Sequence, residues 1–219
     1  MHNGERFGLL GVNGAGKTTT LSMLTGEFDP SEGSLAVGGV SVYHADFVKK
    51  LGFCPQVDPL LDLMTAYETL YFFGRIRGIP FEELDQRVGS LVKQVGLLKH
   101  AHRPCGTYSG GNKRKLSLAV ALIGNPRVLL LDEPSTGMDP EARRGMWAAI
   151  ERVSSGRSIV LVSHSMEECE ALCTRIGIMV NGRLQCLGSS QHIKSRFGAG
   201  YQIEARTTQV SPAATQQTP

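Results

Sequence analysis

Gly11-Val12-Asn13-Gly14-Ala15-Gly16-Lys17-Thr18 has the residue types and spacing to grip a polyphosphate. Its glycines let a loop wrap a phosphate with main-chain N–H groups, Lys17 neutralises the oxygens, and Thr18 offers a hydroxyl to Mg²⁺. A second group is Asp132-Glu133, at the end of the apolar run Val128-Leu129-Leu130-Leu131. Adjacent carboxylates repel unless a cation or proton separates them. Mg²⁺ on Asp132 and a water on Glu133 satisfy both, making Glu133 the candidate general base. A third is Tyr108-Ser109-Gly110-Gly111-Asn112, a serine and two glycines opening a helix, where free N–H groups and the helix dipole favour an anion. His164 follows another apolar run and could hold an attacking water against a phosphate. Gln56, after Pro55, could ligate Mg²⁺ and report phosphate loss to the helices that follow.

These residues need elements to hold them. Phe7–Leu10, Val128–Leu131 and Ser158–Val162 are short and apolar on both faces, as strands inside a parallel sheet are. Each ends in one of the groups above, and ligands bind beyond the carboxyl ends of such strands. From residue 60 to 105 the pattern is helical. Thr65 with Glu68 predicts a capping box, Gly78-Ile79-Pro80 breaks that helix, and a second runs from Glu82 to Val95 and stops at Gly96. Asp139-Pro140-Glu141 reads as an N-cap, a proline at the first position and an acidic first turn. Asn181-Gly182 between Ile176–Val180 and Arg183–Leu187 is a two-residue hairpin signal.

A length of 219 residues with 41% hydrophobic content fits one large domain, or a domain plus a subdomain, with a core of its own. A net charge of +3 gives no reason to expect nucleic acid. Lys113-Arg114-Lys115 is the one dense basic cluster, and it is expected to be a solvated face beside a helix start. No run approaches the ~20 apolar residues of a membrane span, and no leader peptide is recognisable. Five cysteines fit a reducing compartment, and Cys169 and Cys173 share a helical face near His164. That spacing permits a metal site, but two reduced thiols on a packed helix are the expectation. Residues 207–219 are Ser, Thr, Gln, Ala and Pro with little apolar content and are expected to be disordered.

Taken in order, these motifs resemble an ATP-binding cassette (ABC) ATPase over about residues 4–190. The Gly11 loop is similar to Walker A and Val128–Asp132 to Walker B. Ser109-Gly110-Gly111 matches the signature, and Gln56, Ser135-Thr136-Gly137-Met138-Asp139 and His164 stand where the family has them. Tyr-Ser-Gly-Gly-Asn at 108–112, Gly137-Met138-Asp139-Pro140 and Ser163-His164-Ser165-Met166-Glu167-Glu168-Cys169-Glu170 look like subfamily A, the lipid exporters. Met179-Val180-Asn181-Gly182-Arg183 and Arg196-Phe197-Gly198 are similar to its second nucleotide-binding domain. The resemblance implies an α/β P-loop (RecA-like) fold, with a mostly parallel sheet, a helical subdomain at about 60–125 and an incomplete antiparallel subdomain, within a domain at 1–206. It implies ATP and Mg²⁺, with nucleotide contacts at Gly11, Asn13, Gly14, Ala15, Gly16, Lys17, Thr18 and Thr19. Thr18, Gln56 and Asp132 are implied as metal ligands, and Glu133, His164 and Gln56 as catalytic residues. Ser109, Gly110 and Gly111 are implied to serve the ATP of a second nucleotide-binding domain in a head-to-tail dimer. Transmembrane domains are the other implied partner, with lipid met only through them, on the cytoplasmic side of a membrane.

The chain also departs from that family. No aromatic precedes the first strand to stack on adenine, and Phe7 is expected in the core. The first antiparallel strands are missing, which is expected to leave Ser34–Tyr43 with a bare edge, and the family's C-terminal regulatory region is expected to be absent beyond about Gln209. On this basis the chain is expected to be truncated at both ends and to bind and hydrolyse ATP weakly when alone. Two other readings stand beside the transporter motor: a non-catalytic fragment that joins full-length transporters, and a soluble ABC ATPase.

Overall fold

The chain alternates strands and helices in the computed structural model, which describes residues 1–37, 39–44 and 46–197. Arg6–Leu10 forms β1, and α1 (Lys17–Thr25) follows the Gly11 loop. Next come the short strands β2 (Ala36–Val37) and β3 (Val40–Ser41), then α2 (Phe47–Lys50) and β4 (Leu51–Cys54). Three helices follow: α3 (Ala66–Ile76), α4 (Phe81–Gln94) and α5 (Gly110–Leu122). Alternation resumes with β5 (Val128–Asp132), α6 (Pro140–Val153), β6 (Ser158–Ser163) and α7 (Met166–Leu172). The described residues close with β7 (Arg175–Val180), β8 (Arg183–Gly188) and α8 (Ser190–Phe197). The segment 207–219, expected to be disordered, lies outside the described residues.

The main sheet has the order β4-β5-β6-β1-β7-β8, parallel throughout except for the β7–β8 hairpin. Its faces divide by period two, as strand geometry requires. Leu129, Leu131, Ile159 and Leu161 turn to one core, while Leu130, Val160 and Val162 turn to the other. The first core extends into Leu70, Leu84 and Val88, so the helical segment and the sheet share one continuous apolar interior. The second is smaller and is closed by Leu21 and Phe47. β2 and β3 form a separate two-stranded ribbon over the stretch expected to have a bare edge.

Register decides where the chemistry falls. Leu10 pairs with Ser163, Asp132 with Val162, and Cys54 with Leu131. The strand ends are level, so Gly11, Pro55, Glu133 and His164 all leave the sheet at its carboxyl edge.

Local signals also work as their chemistry demands. The Thr65 hydroxyl accepts from the Glu68 N–H at 3.2 Å and the Glu68 carboxylate accepts from the Thr65 N–H at 2.8 Å, closing the capping box. Asp139 caps α6 by accepting from the N–H groups of Glu141 and Ala142. Asn181 and Gly182 have φ of 49° and 75°, the positive pair a type I′ turn needs. Cys169 and Cys173 pack under β1, where a Cβ on Gly8 would lie 3.1 and 3.0 Å from their sulfurs. A hydrogen bond with Cys169 and burial push the Cys173 thiol well above its ordinary range, so it stays a packing group.

β4 carries almost no sequence signal, since Leu-Gly-Phe-Cys is short and lacks β-branched residues. Packing imposes it: a Cβ on Gly52 would collide with the Ala121 carbonyl of α5 and come within 2.7 Å of Pro126 Cγ. Gly52→Ala is therefore expected to cost ~3 kcal/mol, the upper range for overpacking a close contact, as measured by urea unfolding.

Candidate functional site

The Gly11 loop is held from behind. A Cβ on Gly11 would lie 2.7 Å from the Met179 carbonyl oxygen, and the Ala15 carbonyl accepts from the Gly182 N–H at 2.9 Å. Gly14 and Gly16 have φ of 79° and 101°, where a side chain would be strained. Gly16 also stands at the N-cap of α1 without a capping side chain, so the N–H groups of the first turn point outward unclaimed by a cap. Lys17 is buried, its Nζ donating to the carbonyls of Gly11 at 2.8 Å and Val12 at 3.1 Å.

Asn13, Gly14, Gly16, Lys17, Thr18 and Thr19 line one wall of a cavity of about 520 Å³. Gln56, Glu133, Thr136 and His164 line the other. Ala15 is buried beneath the loop, and Asp132 is buried beneath Glu133. Burial and then the neighbouring Glu133 carboxylate raise the Asp132 pKa, while Arg114 and Lys17 pull it down. A cation beside it would relieve that cost.

Glu133 is the centre of the cavity. It has φ of 45°, a left-handed conformation unusual for a side chain of its length, although its N–H continues the ladder by donating to the Val162 carbonyl at 2.9 Å. That kink turns its carboxylate to His164 Nδ1 at 3.1 Å and the Thr136 hydroxyl at 2.9 Å, with Lys17 Nζ 4.0 Å away. The Glu133 side chain is 11% exposed and that of His164 51%, so a shielded carboxylate faces a group open to solvent.

Ser109, Gly110 and Gly111 lie in a different cavity of about 420 Å³, with Asp58, Arg114 and the 137–139 loop. The two cavities share Gln56, Glu133 and Thr136 as a common wall. The Ser109 hydroxyl caps α5 through the Asn112 N–H at 3.4 Å.

The basic cluster at 113–115 corrects its expectation. Lys113 does reach outward, to Asp62 at 2.9 Å, but Arg114 is only 5% exposed and is no part of a solvated face. Its guanidinium donates to the carbonyls of Asp132 at 2.6 Å, Gln56 at 3.1 Å and Pro134 at 3.2 Å, and to that of Pro55. It also pairs with Asp58 Oδ1 at 3.0 Å. One arginine thus fastens α5 to the Gln56 turn and to the Asp132–Glu133 turn at once. The sequence holds no signal for this, because all the acceptors but Asp58 are carbonyls, which every residue has.

A family profile described as ABC transporter matches residues 1–136. The chain is 54% identical over 212 residues to the mouse protein ATP-binding cassette sub-family A member 7, covering 95% of this chain and 10% of that one. It is 56% identical over 207 residues to human ATP-binding cassette sub-family A member 2, covering 93% and 8%. It is also 56% identical over 201 residues to the bovine retinal-specific phospholipid-transporting ATPase ABCA4, covering 90% and 9%. The chain therefore spans about a tenth of the length of these curated relatives. Among solved structures, an ATP binding subunit of an ABC transporter superposes with a TM-score of 0.77 at 27% identity, covering 89% of this chain and 82% of that one. cbiO1 from Clostridium perfringens gives 0.80 at 24% identity over 89% and 81%, a likeness of fold. With the Lys17 loop, the Ser109 helix start and the Asp132–Glu133 strand end all inside the matched span, this chain belongs to the ABC transporter family, in the subfamily A of these relatives.

Proposed function

We propose that the chain is an ATP-binding and ATP-hydrolysing motor domain of a subfamily A transporter, coupling hydrolysis to the movement of lipid or sterol across a membrane. The observation that carries this reading is the single cavity in which Lys17, Thr18, Gln56, Glu133 and His164 converge. Loop N–H groups and Lys17 hold the β- and γ-phosphates. Glu133 accepts a proton from the water that attacks the γ-phosphorus, and His164 steadies that water and the phosphate. The bond to the β-phosphate oxygen breaks, leaving ADP and inorganic phosphate. Thr18, Gln56 and Asp132 are proposed to hold Mg²⁺. The set is all oxygen, which suits this ion, and small, which suits an ion shared with phosphates. When bound, Mg²⁺ supplies charge neutralisation at the β/γ oxygens.

The signature residues Ser109–Gly111 are proposed to serve the ATP of a second nucleotide-binding domain, head to tail. Their position in a separate cavity, across Gln56 and Glu133 from the chain's own phosphate loop, supports that role. Transmembrane domains are the further partner, on the cytoplasmic side. Among the described residues no helix is long and apolar enough to cross a membrane. Leu63, Val57, Phe81 and Ile76 in and around α3 leave large apolar surfaces exposed, suited to a membrane domain's helix. The organisation into a domain at 1–206, with a helical subdomain at about 60–125, belongs to the same proposal.

Titration of the chain with Mg-ATP tests the reading. Lys17→Ala removes charge-assisted hydrogen bonds worth ~1.5–3 kcal/mol and is expected to weaken binding about 10- to 100-fold. Equal affinity in the two proteins would remove the phosphate loop from the mechanism.

A further inference from the structure

Glu168 is 1% exposed, and the reaction outlined above does not use it. It is the third residue of α7, where a glutamate ordinarily turns back to the N–H of the capping residue. Here it does not. The Ser165 N–H donates instead to the Ser163 hydroxyl oxygen at 3.0 Å, which frees the Glu168 carboxylate for other donors. Its Oε2 accepts from the Ser163 hydroxyl at 2.7 Å. Its Oε1 accepts from the Ser135 hydroxyl at 2.6 Å and from the indole N–H of Trp147 at 3.2 Å.

The three donors come from three elements. Ser163 ends β6 and directly precedes His164; Ser135 lies two residues beyond Glu133; Trp147 belongs to α6, the helix that the 135–139 loop feeds. Ser163 and Ser135 are both buried. Short hydrogen bonds to a carboxylate are among the stronger ones, and inside a protein they resist exchange with water. One buried carboxylate, which does not line the cavity, thus joins the turn carrying His164 to the turn carrying Glu133. Glu133 needs such support, since its left-handed backbone persists only where the surroundings over-determine it.

We infer that Glu168 is a positioning residue: through Ser135 and Ser163 it locks the Glu133 and His164 turns into one unit, and Trp147 on the same oxygen senses that unit's state. The inference rests on the reading of Glu133 and His164 as reaction groups. A glutamine at 168 would offer one acceptor oxygen where two are used, so one serine would lose its partner.

Trp147 is the only tryptophan in the chain, so its emission reads the network directly. The experiment compares the full 219-residue chain with Glu168→Gln, following steady-state ATP hydrolysis, Mg-ATP affinity with a fluorescent ATP analogue, and tryptophan emission. Mg-ATP is expected to shift Trp147 emission in the parent and to leave it unmoved in Glu168→Gln. The variant is expected to lose tenfold or more in kcat, with KM and analogue affinity within threefold. A parent whose emission ignores Mg-ATP, or a variant whose kcat and emission response match the parent, overturns the inference. So does a fall in kcat that tracks an equal loss of nucleotide affinity, since that marks general damage. Should Glu168→Gln fail to fold, Ser135→Ala and Ser163→Ala, each deleting one donor, take its place with the same expectations. Glu133→Gln separates the two readings. If its hydrolysis matches the parent, the assignment of Glu133 falls, while the emission response still decides whether Glu168 couples the two turns.

Discussion

Glu133→Gln is expected to cut ATP hydrolysis by ~10²–10⁴-fold, the range for losing a positioned general base. The substitution keeps shape and an acceptor oxygen, so the bond from the Thr136 hydroxyl survives. What it removes is the capacity to take a proton from water. Mg-ATP affinity is expected to stay within a few-fold, because Lys17 and the loop N–H groups are untouched. The negative charge 4.0 Å from Lys17 Nζ also disappears, which favours phosphate binding if it acts at all. Phosphate release measured beside nucleotide binding checks the pair of expectations. Equal release rates would show that Glu133 is not the base, and a parallel loss of binding would assign it to holding nucleotide.

Arg114→Met is expected to destabilise the fold by ~3–5 kcal/mol, the cost of breaking a buried charge network from one side. Five carbonyls, that of Glu133 at 3.5 Å among them, and the Asp58 carboxylate lose their donor together. The methionine fills much of the volume, so the loss comes from orphaned acceptors more than from a cavity. Arg114→Lys keeps the charge without the planar fork, reaches fewer of the six acceptors, and is expected to recover less than half of the loss. Urea unfolding of the three proteins measures this. A variant within ~0.5 kcal/mol of the parent would show that the bonds of this buried arginine add no net stability.

What was legible in the chain follows from how locally each feature is encoded. The Gly11 loop, the Thr65–Glu68 capping box, the Asp139 cap and the Asn181-Gly182 turn need only neighbouring residues, and each forms as its chemistry predicts. The three apolar strands were legible because burial on both faces leaves a continuous hydrophobic run. β4 was not, since its partner β5 and the close approach of α5, not its own residues, make it a strand. Arg114 and Glu168 were hidden for a related reason. In sequence they sit in runs of charge, Lys-Arg-Lys and Glu-Glu-Cys-Glu, which ordinarily mean solvent. Their burial depends on acceptors and donors up to 59 residues away. The convergence of Lys17, Gln56, Glu133 and His164 on one cavity was foreseeable in outline from motif order, but the left-handed turn at Glu133 was not.

β1 lies between β6 and β7, pairing Arg6 with Ile159 and Phe7 with Arg175. Both neighbours of β1 are therefore made long after it, and β1 must wait for them. At ~5–20 residues per second, that is roughly ten to thirty seconds of synthesis with an apolar strand and a phosphate loop unpaired. A central strand made well before its two neighbours gives this domain a long window in which chaperones, not its own sheet, must keep residues 6–10 out of other company.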